Sequence, residues 1–130
     1  MISKRVLVVD DHSGLRQTVA DMLETRFDKS TIIQQAESVE QALFLLENNN
    51  FDLVISDLSM PGGSGDEIYS YLEARPELQT KFILYSGDFD PIKTPDWEKK
   101  FVAVLKPDYL KLLAAIRSTG ILCDAPAVRR

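Results

Sequence analysis

The chain has 130 residues, of which 45% are hydrophobic and 27% are charged, a balance typical of one soluble globular domain and not of a disordered segment. Its net charge of −5 disfavours nucleic-acid binding by this domain, because such binding depends on a basic surface that neutralises phosphates. No apolar stretch approaches the ~20 residues that cross a bilayer, and the only cysteine is Cys123, so we expect a cytoplasmic protein with no membrane contact and no internal disulfide.

Short apolar runs alternate with amphipathic segments along the whole chain, with no internal repeat. Several of the runs are continuously apolar, which is typical of strands that are covered on both faces. We predict five strands: Val6–Val9, Thr31–Ile33, Leu53–Ile55, Phe82–Tyr85 and Phe101–Leu105.

Helix-start signals precede the amphipathic segments. Ser38 with Gln41 and Ser64 with Glu67 have the spacing of capping boxes, and Asp108 precedes a last helix that ends before Gly120. The first helix, after Ser13, is indicated by an apolar stripe at helical spacing: Leu15, Val19, Met22 and Leu23.

The fourth helical segment has the weakest pattern. It falls within GDFDPIKTPDWEKK, residues 87–100, which contains Pro91 and Pro95. Proline breaks a helix interior but suits its first turn. A helix capped by Thr94 and ending near Lys100 would be short, displaced or irregular.

The order of elements is strand–helix repeated about five times. Each strand–helix–strand unit of this length implies a right-handed parallel crossover. The pattern therefore predicts an α/β fold with an open parallel sheet and helices on both faces. In such sheets functional groups gather beyond the carboxyl ends of the strands.

Polar residues follow four of the predicted strands where each ends. Asp10 and Asp11 follow the first strand, Asp57 the third, Ser86 the fourth and Lys106 the fifth. Each acid alone could be a solvated strand end or a turn residue. Three adjacent carboxylates, however, stay ionised only with a cation among them. Oxygen ligands without a His or Cys cluster favour Mg²⁺.

This set of groups also suits phosphoryl transfer. A carboxylate can act as a covalent nucleophile and form an aspartyl phosphate. A metal ion and a lysine can stabilise the charge on the transferring group.

The segments VLVVDD, VISDLSMPGGSG, FILYSG and VLKP together resemble the receiver domain of two-component response regulators. The resemblance covers nearly all of residues 4–118. It implies a flavodoxin-like (βα)5 fold with strand order 2-1-3-4-5. We accordingly predict a receiver domain at residues 1–119 and a C-terminal tail or the start of a linker at residues 120–130.

The resemblance also implies roles for individual residues. Asp57 would be the phosphoacceptor, Ser86 would bind the attached phosphoryl group and Lys106 would pair with its charge. The Lys106–Pro107 peptide is expected to be cis. Mg²⁺ would be held by four residues: Asp10, Asp11, Asp57 and Ser59, the last through its backbone carbonyl.

The function implied by the resemblance is a phosphoacceptor switch, not an enzyme, with self-catalysed phosphotransfer and dephosphorylation only. Its partners would be a histidine kinase or histidine phosphotransferase and an output protein or appended effector domain. A true phosphatase or phosphotransferase with an aspartyl nucleophile is a second hypothesis, which Ser59 disfavours because it occupies the place of the second acid. A third is a degenerate receiver that binds partners independently of phosphorylation.

The sequence departs from the family pattern near the fifth strand. Ala103 occupies a position that is usually aromatic, three residues before Lys106. The segment from Ser86 to Lys106 is about two residues shorter than expected, and Gly87 replaces a common alanine. These departures favour a non-standard output face, and Ala103 together with Pro91 and Pro95 is the reason for the third hypothesis.

Four other features have plainer interpretations. We interpret His12 as a solvated loop residue, and Trp97 as packing over the sheet edge. The Gly62–Gly65 run lacks a nucleotide-binding pattern and is interpreted as a flexible loop. The segment Cys123–Arg130 is interpreted as a disordered end or the start of a linker.

Overall fold

The computed structural model describes residues 3–87 and 101–126. Its main sheet has five parallel strands: β1 (Arg5–Val9), β2 (Ile32–Ala36), β3 (Leu53–Ser56), β6 (Lys81–Ser86) and β7 (Val102–Leu105). Their order across the sheet is β2-β1-β3-β6-β7. Two-residue strands β4 (Ser59–Met60) and β5 (Gly63–Ser64) form a separate antiparallel hairpin. The predicted flavodoxin-like order 2-1-3-4-5 is therefore confirmed for the main sheet.

Four α-helices lie within the described residues: α1 (Ser13–Arg26), α2 (Val39–Asn48), α3 (Gly65–Glu73) and α4 (Tyr109–Ser118). A short 3₁₀ helix spans Pro76–Leu78. None of these helices is long and apolar enough to span a membrane. The helix predicted between Thr94 and Lys100, together with Trp97, lies outside the described residues.

The sheet separates two hydrophobic cores. Successive strand residues point to opposite faces, so Val6 and Val8 of β1 enter one core while Leu7 and Val9 enter the other. Helices α1 and α4 cover the first core, and α2 and α3 cover the second. Coverage on both faces explains the continuously apolar strands.

Side-chain caps fix where the helices begin. Ser38 Oγ accepts a hydrogen bond from Gln41 N at 3.1 Å, and Asp108 Oδ1 accepts one from Lys111 N at 3.0 Å. Glu67 Oε2 accepts one from Ser64 N at 2.7 Å. These predicted helix starts are confirmed, and each cap satisfies an amide with no partner inside the helix.

Helix α1 has an unexpected cap. His12 Nδ1 accepts a hydrogen bond from Leu15 N at 3.2 Å. His12 is exposed, as we expected, but it also caps α1. Histidine is not among the preferred capping residues, so the sequence pattern did not indicate this role.

Strand β2 is longer and less apolar than predicted. It pairs with β1 on one side and forms an edge of the sheet. Gln34 and Gln35 belong to the strand and are only partly buried. An edge strand tolerates such polar residues because the helices cover it incompletely. A prediction based on the apolar run alone therefore made the strand too short.

The segment Cys123–Arg130, which we interpreted as a disordered end or the start of a linker, is ordered at residues 123–125. Asp28 N donates to Cys123 O at 2.8 Å, and Ala125 N donates to Arg26 O at 2.9 Å. Leu122 packs into the first core with 9% of its surface exposed. The physical reason is the apolar residue after the turn at Gly120, where φ is +69°. The domain boundary at residue 119 stays a prediction.

We predict that Leu122→Ala lowers the free energy of unfolding by about 2 kcal/mol, because it leaves a cavity in the first core. The measurement is urea unfolding followed by circular dichroism. Cys123→Ala alters the exposed neighbouring side chain and should change the stability by less than about 0.5 kcal/mol. Equal stabilities of the two variants would show that the segment does not contribute to folding.

Candidate functional site

The carboxyl ends of four parallel strands bring the predicted site residues to one edge of the sheet. Asp10 and Asp11 follow β1, Asp57 follows β3, Ser86 ends β6 and Lys106 follows β7. The neighbouring pairs β1–β3, β3–β6 and β6–β7 are all parallel. The structure therefore brings these residues to one edge, as the sequence predicted, while their chemical roles stay predictions.

Three carboxylates crowd together at this edge. Carboxylate oxygens of Asp10, Asp11 and Asp57 lie within 4.8 Å of one another. Asp10 is 4% exposed and Asp57 is 8% exposed, while Asp11 is exposed. Like charges at this separation repel strongly where water is partly excluded.

Lys106 lies against two of the three acids. Its Nζ is 2.6 Å from Asp10 Oδ2 and 3.5 Å from Asp57 Oδ2. Three carboxylates and one ammonium leave a net charge of two negative units in the cluster. A divalent cation would balance that charge.

The donor set fits a hard cation. Every side-chain donor in the cluster is a carboxylate oxygen, which is the ligand type that Mg²⁺ prefers. The nearby imidazole of His12 uses Nδ1 to cap α1. The structure thus favours the predicted oxygen-only site over one that includes His12.

The backbone and carboxylate of Asp57 are held from several sides. Its N–H donates to Val9 O at 2.9 Å, and its Oδ1 accepts from Leu58 N at 2.8 Å. Its carbonyl oxygen accepts from Ser56 Oγ at 2.7 Å. These bonds orient the carboxylate, with Oδ2 facing Lys106.

Gly65 permits α3 to begin directly against Asp57. A Cβ atom on Gly65 would lie 2.1 Å from the Asp57 carbonyl oxygen, closer than any side chain tolerates. Gly65 N also donates to Leu58 O at 2.7 Å. The interpretation of Gly62–Gly65 as a flexible loop missed the hairpin β4–β5 and this close contact. The signal in the sequence was a glycine at the first position of a capped helix.

Ser59, Ser86 and the proline peptide complete the edge. Ser59 is exposed and begins β4, two residues after Asp57. Ser86 is fully buried, and its carbonyl oxygen accepts from Lys106 N at 3.0 Å. The Lys106–Pro107 peptide is cis, as the resemblance implied.

Asp10 has partners at all of its polar groups. Its N–H donates to Ala36 O at 3.1 Å, and Oδ1 accepts from His12 N at 2.9 Å. Its carbonyl oxygen accepts from Arg16 Nη1 at 2.6 Å, and Oδ2 faces Lys106. The motifs in the sequence did not indicate a role for Arg16. Its position four residues after His12, on the same face of α1, was the available signal.

A buried tyrosine, Tyr85, and a partly buried one, Tyr109, lie near Lys106. Lys106 Nζ is 5.8 Å from the centre of the Tyr85 ring, and the Tyr85 and Tyr109 rings are 5.8 Å apart. The Tyr85 hydroxyl has no hydrogen-bonding partner among the described residues. Burial above all, with a smaller contribution from Tyr109, raises the pKa of Tyr85. Ala103, at the usually aromatic position, packs partly buried against the second core.

Two curated proteins resemble parts of the chain. Chemotaxis protein CheY-3 of Vibrio cholerae is 33% identical over 75 residues, which are 58% of this chain and 56% of that protein. Sensory/regulatory protein RpfC of Xanthomonas campestris is 33% identical over 92 residues, 68% of this chain and 12% of that protein. The chain thus spans little more than half of the first relative and a small part of the second.

Two solved structures share the fold over most of the chain. A response regulator receiver protein from Pseudomonas putida has a TM-score of 0.76 and 28% identity, covering 91% of this chain and 98% of that one. Response regulator TrrA from Thermotoga maritima, in complex with Mg(2+)-BeF, has a TM-score of 0.74 and 29% identity. That match covers 88% of this chain and 97% of TrrA.

The family model of the response regulator receiver domain matches residues 6–96. This match agrees with the strand order and with the acids and lysine at the sheet edge. The chain belongs to the family of response regulator receiver domains, which are signalling switches of two-component systems.

Proposed function

We propose that this chain is a phosphorylation-dependent switch whose Asp57 accepts a phosphoryl group from a histidine kinase or histidine phosphotransferase. The observation that supports this most directly is the cluster of Asp10, Asp11 and Asp57 with Lys106 against two of its members. The proposal places the domain in the cytoplasm, together with its phosphoryl donor.

The cluster would hold Mg²⁺ through the three aspartates and the backbone carbonyl of Ser59. When bound, the ion would neutralise charge on the phosphoryl oxygens. Asp57 would attack phosphorus with a carboxylate oxygen, forming an O–P bond while the P–N bond to the donor histidine breaks. The Leu58 N–H bond to Oδ1 would keep the carboxylate oriented for this attack.

Lys106 and Ser86 would respond to the new group. Lys106 would turn from Asp10 and Asp57 to an oxygen of the phosphoryl group, which carries more negative charge than the carboxylate it replaces. Ser86, one strand away and buried, would donate its hydroxyl to another oxygen. The switch would thus begin with the loss of the 2.6 Å contact between Lys106 and Asp10.

One observation favours a second candidate function. Ala103 leaves no aromatic side chain at this point of β7, so an output signal through an aromatic rotamer is not available there. A degenerate receiver would bind its partner equally well with and without a beryllofluoride phosphate mimic. A switch would bind the partner with two different affinities.

We predict that acetyl phosphate with Mg²⁺ adds ~80 Da to the protein, the mass of one phosphoryl group. Asp57→Asn removes the nucleophile and should abolish the adduct, as measured by intact-protein mass spectrometry. Asp66→Asn is the matched control, since Asp66 is an exposed acid in the first turn of α3, and it should leave the adduct intact. A wild-type protein that gains no mass from acetyl phosphate or from a cognate kinase would contradict the proposal.

We predict that Asp11→Asn weakens Mg²⁺ binding by at least about tenfold, because it removes one charged ligand from the cluster. Isothermal titration calorimetry measures the dissociation constant directly. The Asp66→Asn control should bind Mg²⁺ within about twofold of wild type. Unchanged binding in Asp11→Asn would exclude Asp11 as a ligand.

We predict that Gly65→Ala destabilises the protein by about 2–4 kcal/mol, because its Cβ would collide with the Asp57 backbone. Gly14→Ala is the matched control: it also lies in the first turn of a helix, and its Cβ would have its nearest contact at 3.4 Å. The control should be neutral or slightly stabilising. Urea unfolding compares the two, and similar stabilities would contradict the packing of α3 on Asp57.

A further inference from the structure

We propose that Arg16 is a positioning residue that fixes the backbone of the metal-binding turn at Asp10 and Asp11 before the cation binds. This inference rests on the proposed function, because it concerns the acids that would hold Mg²⁺. It assigns Arg16 no contact with the phosphoryl group.

Arg16 connects three elements around the site. Its Nη1 donates to the Asp10 carbonyl oxygen at 2.6 Å, at the end of β1. Its Nε donates to Gln35 Oε1 at 2.9 Å, on β2. The side chain is partly buried. Because the guanidinium is planar and its donors have fixed directions, these two bonds define its orientation.

The bond to the Asp10 carbonyl also controls Asp11. The Asp10 carbonyl and the Asp11 amide belong to one planar peptide unit. Holding that carbonyl therefore sets the direction in which Asp11 leaves the strand. Asp11 is exposed, and no side-chain hydrogen bond among the described residues holds its carboxylate. The Arg16 hydrogen bond thus directly restrains the peptide unit that joins Asp10 to Asp11.

The same bond supports the Asp10 carboxylate. Asp10 Oδ1 accepts from His12 N at 2.9 Å, so the carboxylate and the turn that follows it depend on one backbone conformation. Without Arg16 the Asp10 carbonyl would lose a charge-assisted hydrogen bond in a partly buried place. The turn could then rotate, and the two acids would no longer be held together for one cation.

The direction in which Mg²⁺ affinity changes when Arg16 is removed distinguishes a positioning role from a purely electrostatic one. Arg16 is a cation near a proposed cation site, so its charge alone disfavours Mg²⁺. Removing that charge would tighten Mg²⁺ binding if charge were the only effect. If Arg16 positions the turn, its removal weakens Mg²⁺ binding despite the favourable change in charge.

The first measurement uses the metal-free protein. In EDTA, Arg16→Met should speed hydrogen exchange of the His12 amide by about tenfold, since the carboxylate that accepts it is no longer held. Two-dimensional NMR resolves this amide, and urea unfolding verifies that the variant is folded. Gln17→Met is the control: Gln17 contacts Gln35 at 3.2 Å but not Asp10, and it should leave the exchange rate unchanged.

The second measurement is calorimetric titration with Mg²⁺. Arg16→Met should raise the dissociation constant by about tenfold, the usual size of effects from groups that support metal ligands. Arg16→Lys keeps the charge and one donor and should recover most of the affinity. If Arg16→Met does not fold, Arg16→Lys is compared with Gln17→Met in both measurements and should show smaller changes of the same sign.

Unchanged His12 exchange, or Mg²⁺ binding that is unchanged or tighter in Arg16→Met, would overturn the inference. If the proposed function itself were wrong, the experiments would give a different pair of results. In that case wild-type protein would gain no phosphoryl mass, while the exchange experiment in EDTA would still report whether Arg16 holds the turn.

Discussion

The repulsion among three carboxylates at one edge of the sheet is the constraint on which the other features of the site depend. Two of these acids are almost completely buried, where their mutual repulsion is weakly screened. The described part of the chain offsets it with Lys106, with amides that donate to carboxylate oxygens and with Arg16 on the Asp10 carbonyl. The three carboxylates and Lys106 alone leave two negative charges in excess, because Arg16 binds a carbonyl oxygen and not a carboxylate. A divalent cation would balance that excess, and the proposed chemistry depends on it.

The fold supplies the geometry that this arrangement needs. Parallel strands bring their carboxyl ends to one edge, so acids and a lysine from distant parts of the chain can meet. The buried strands β1 and β3 fix the backbone up to Asp10 and Asp57, while the edge strand β7 is fixed before Lys106 by its pairing with β6. The close approach of α3 at Gly65 then adds a further contact to the backbone of Asp57. Rigid supports of this kind keep reactive groups within the small tolerance that phosphoryl transfer requires.

Much of this could be predicted from residue patterns, and the misses have physical causes. The strand ends at Asp10, Asp57 and Lys106 follow from apolar runs and parallel topology, which local sequence encodes well. The contact of Arg16 depends on the rotation of α1 about its axis, which a strand-end argument does not consider. The packing of residues 121–125 depends on the apolar side chains of Ile121 and Leu122, which form no periodic pattern. The extent of β2 was underestimated because an edge strand carries polar residues.

The C-terminal segment has a mechanical consequence for the face formed by α1 and α4. Residues 123–125 form backbone hydrogen bonds with Arg26 and Asp28 at the C-terminal end of α1. At the opposite end of that face, Lys106 forms an ion pair with Asp10. Only the second attachment involves a group that a phosphoryl oxygen would attract. Its release would leave α4 held by the core residues Leu112, Leu113 and Ile116, so a displacement would be confined to the first turn of the helix. Leu110, 80% exposed, lies in that turn and would carry an apolar surface along with the motion.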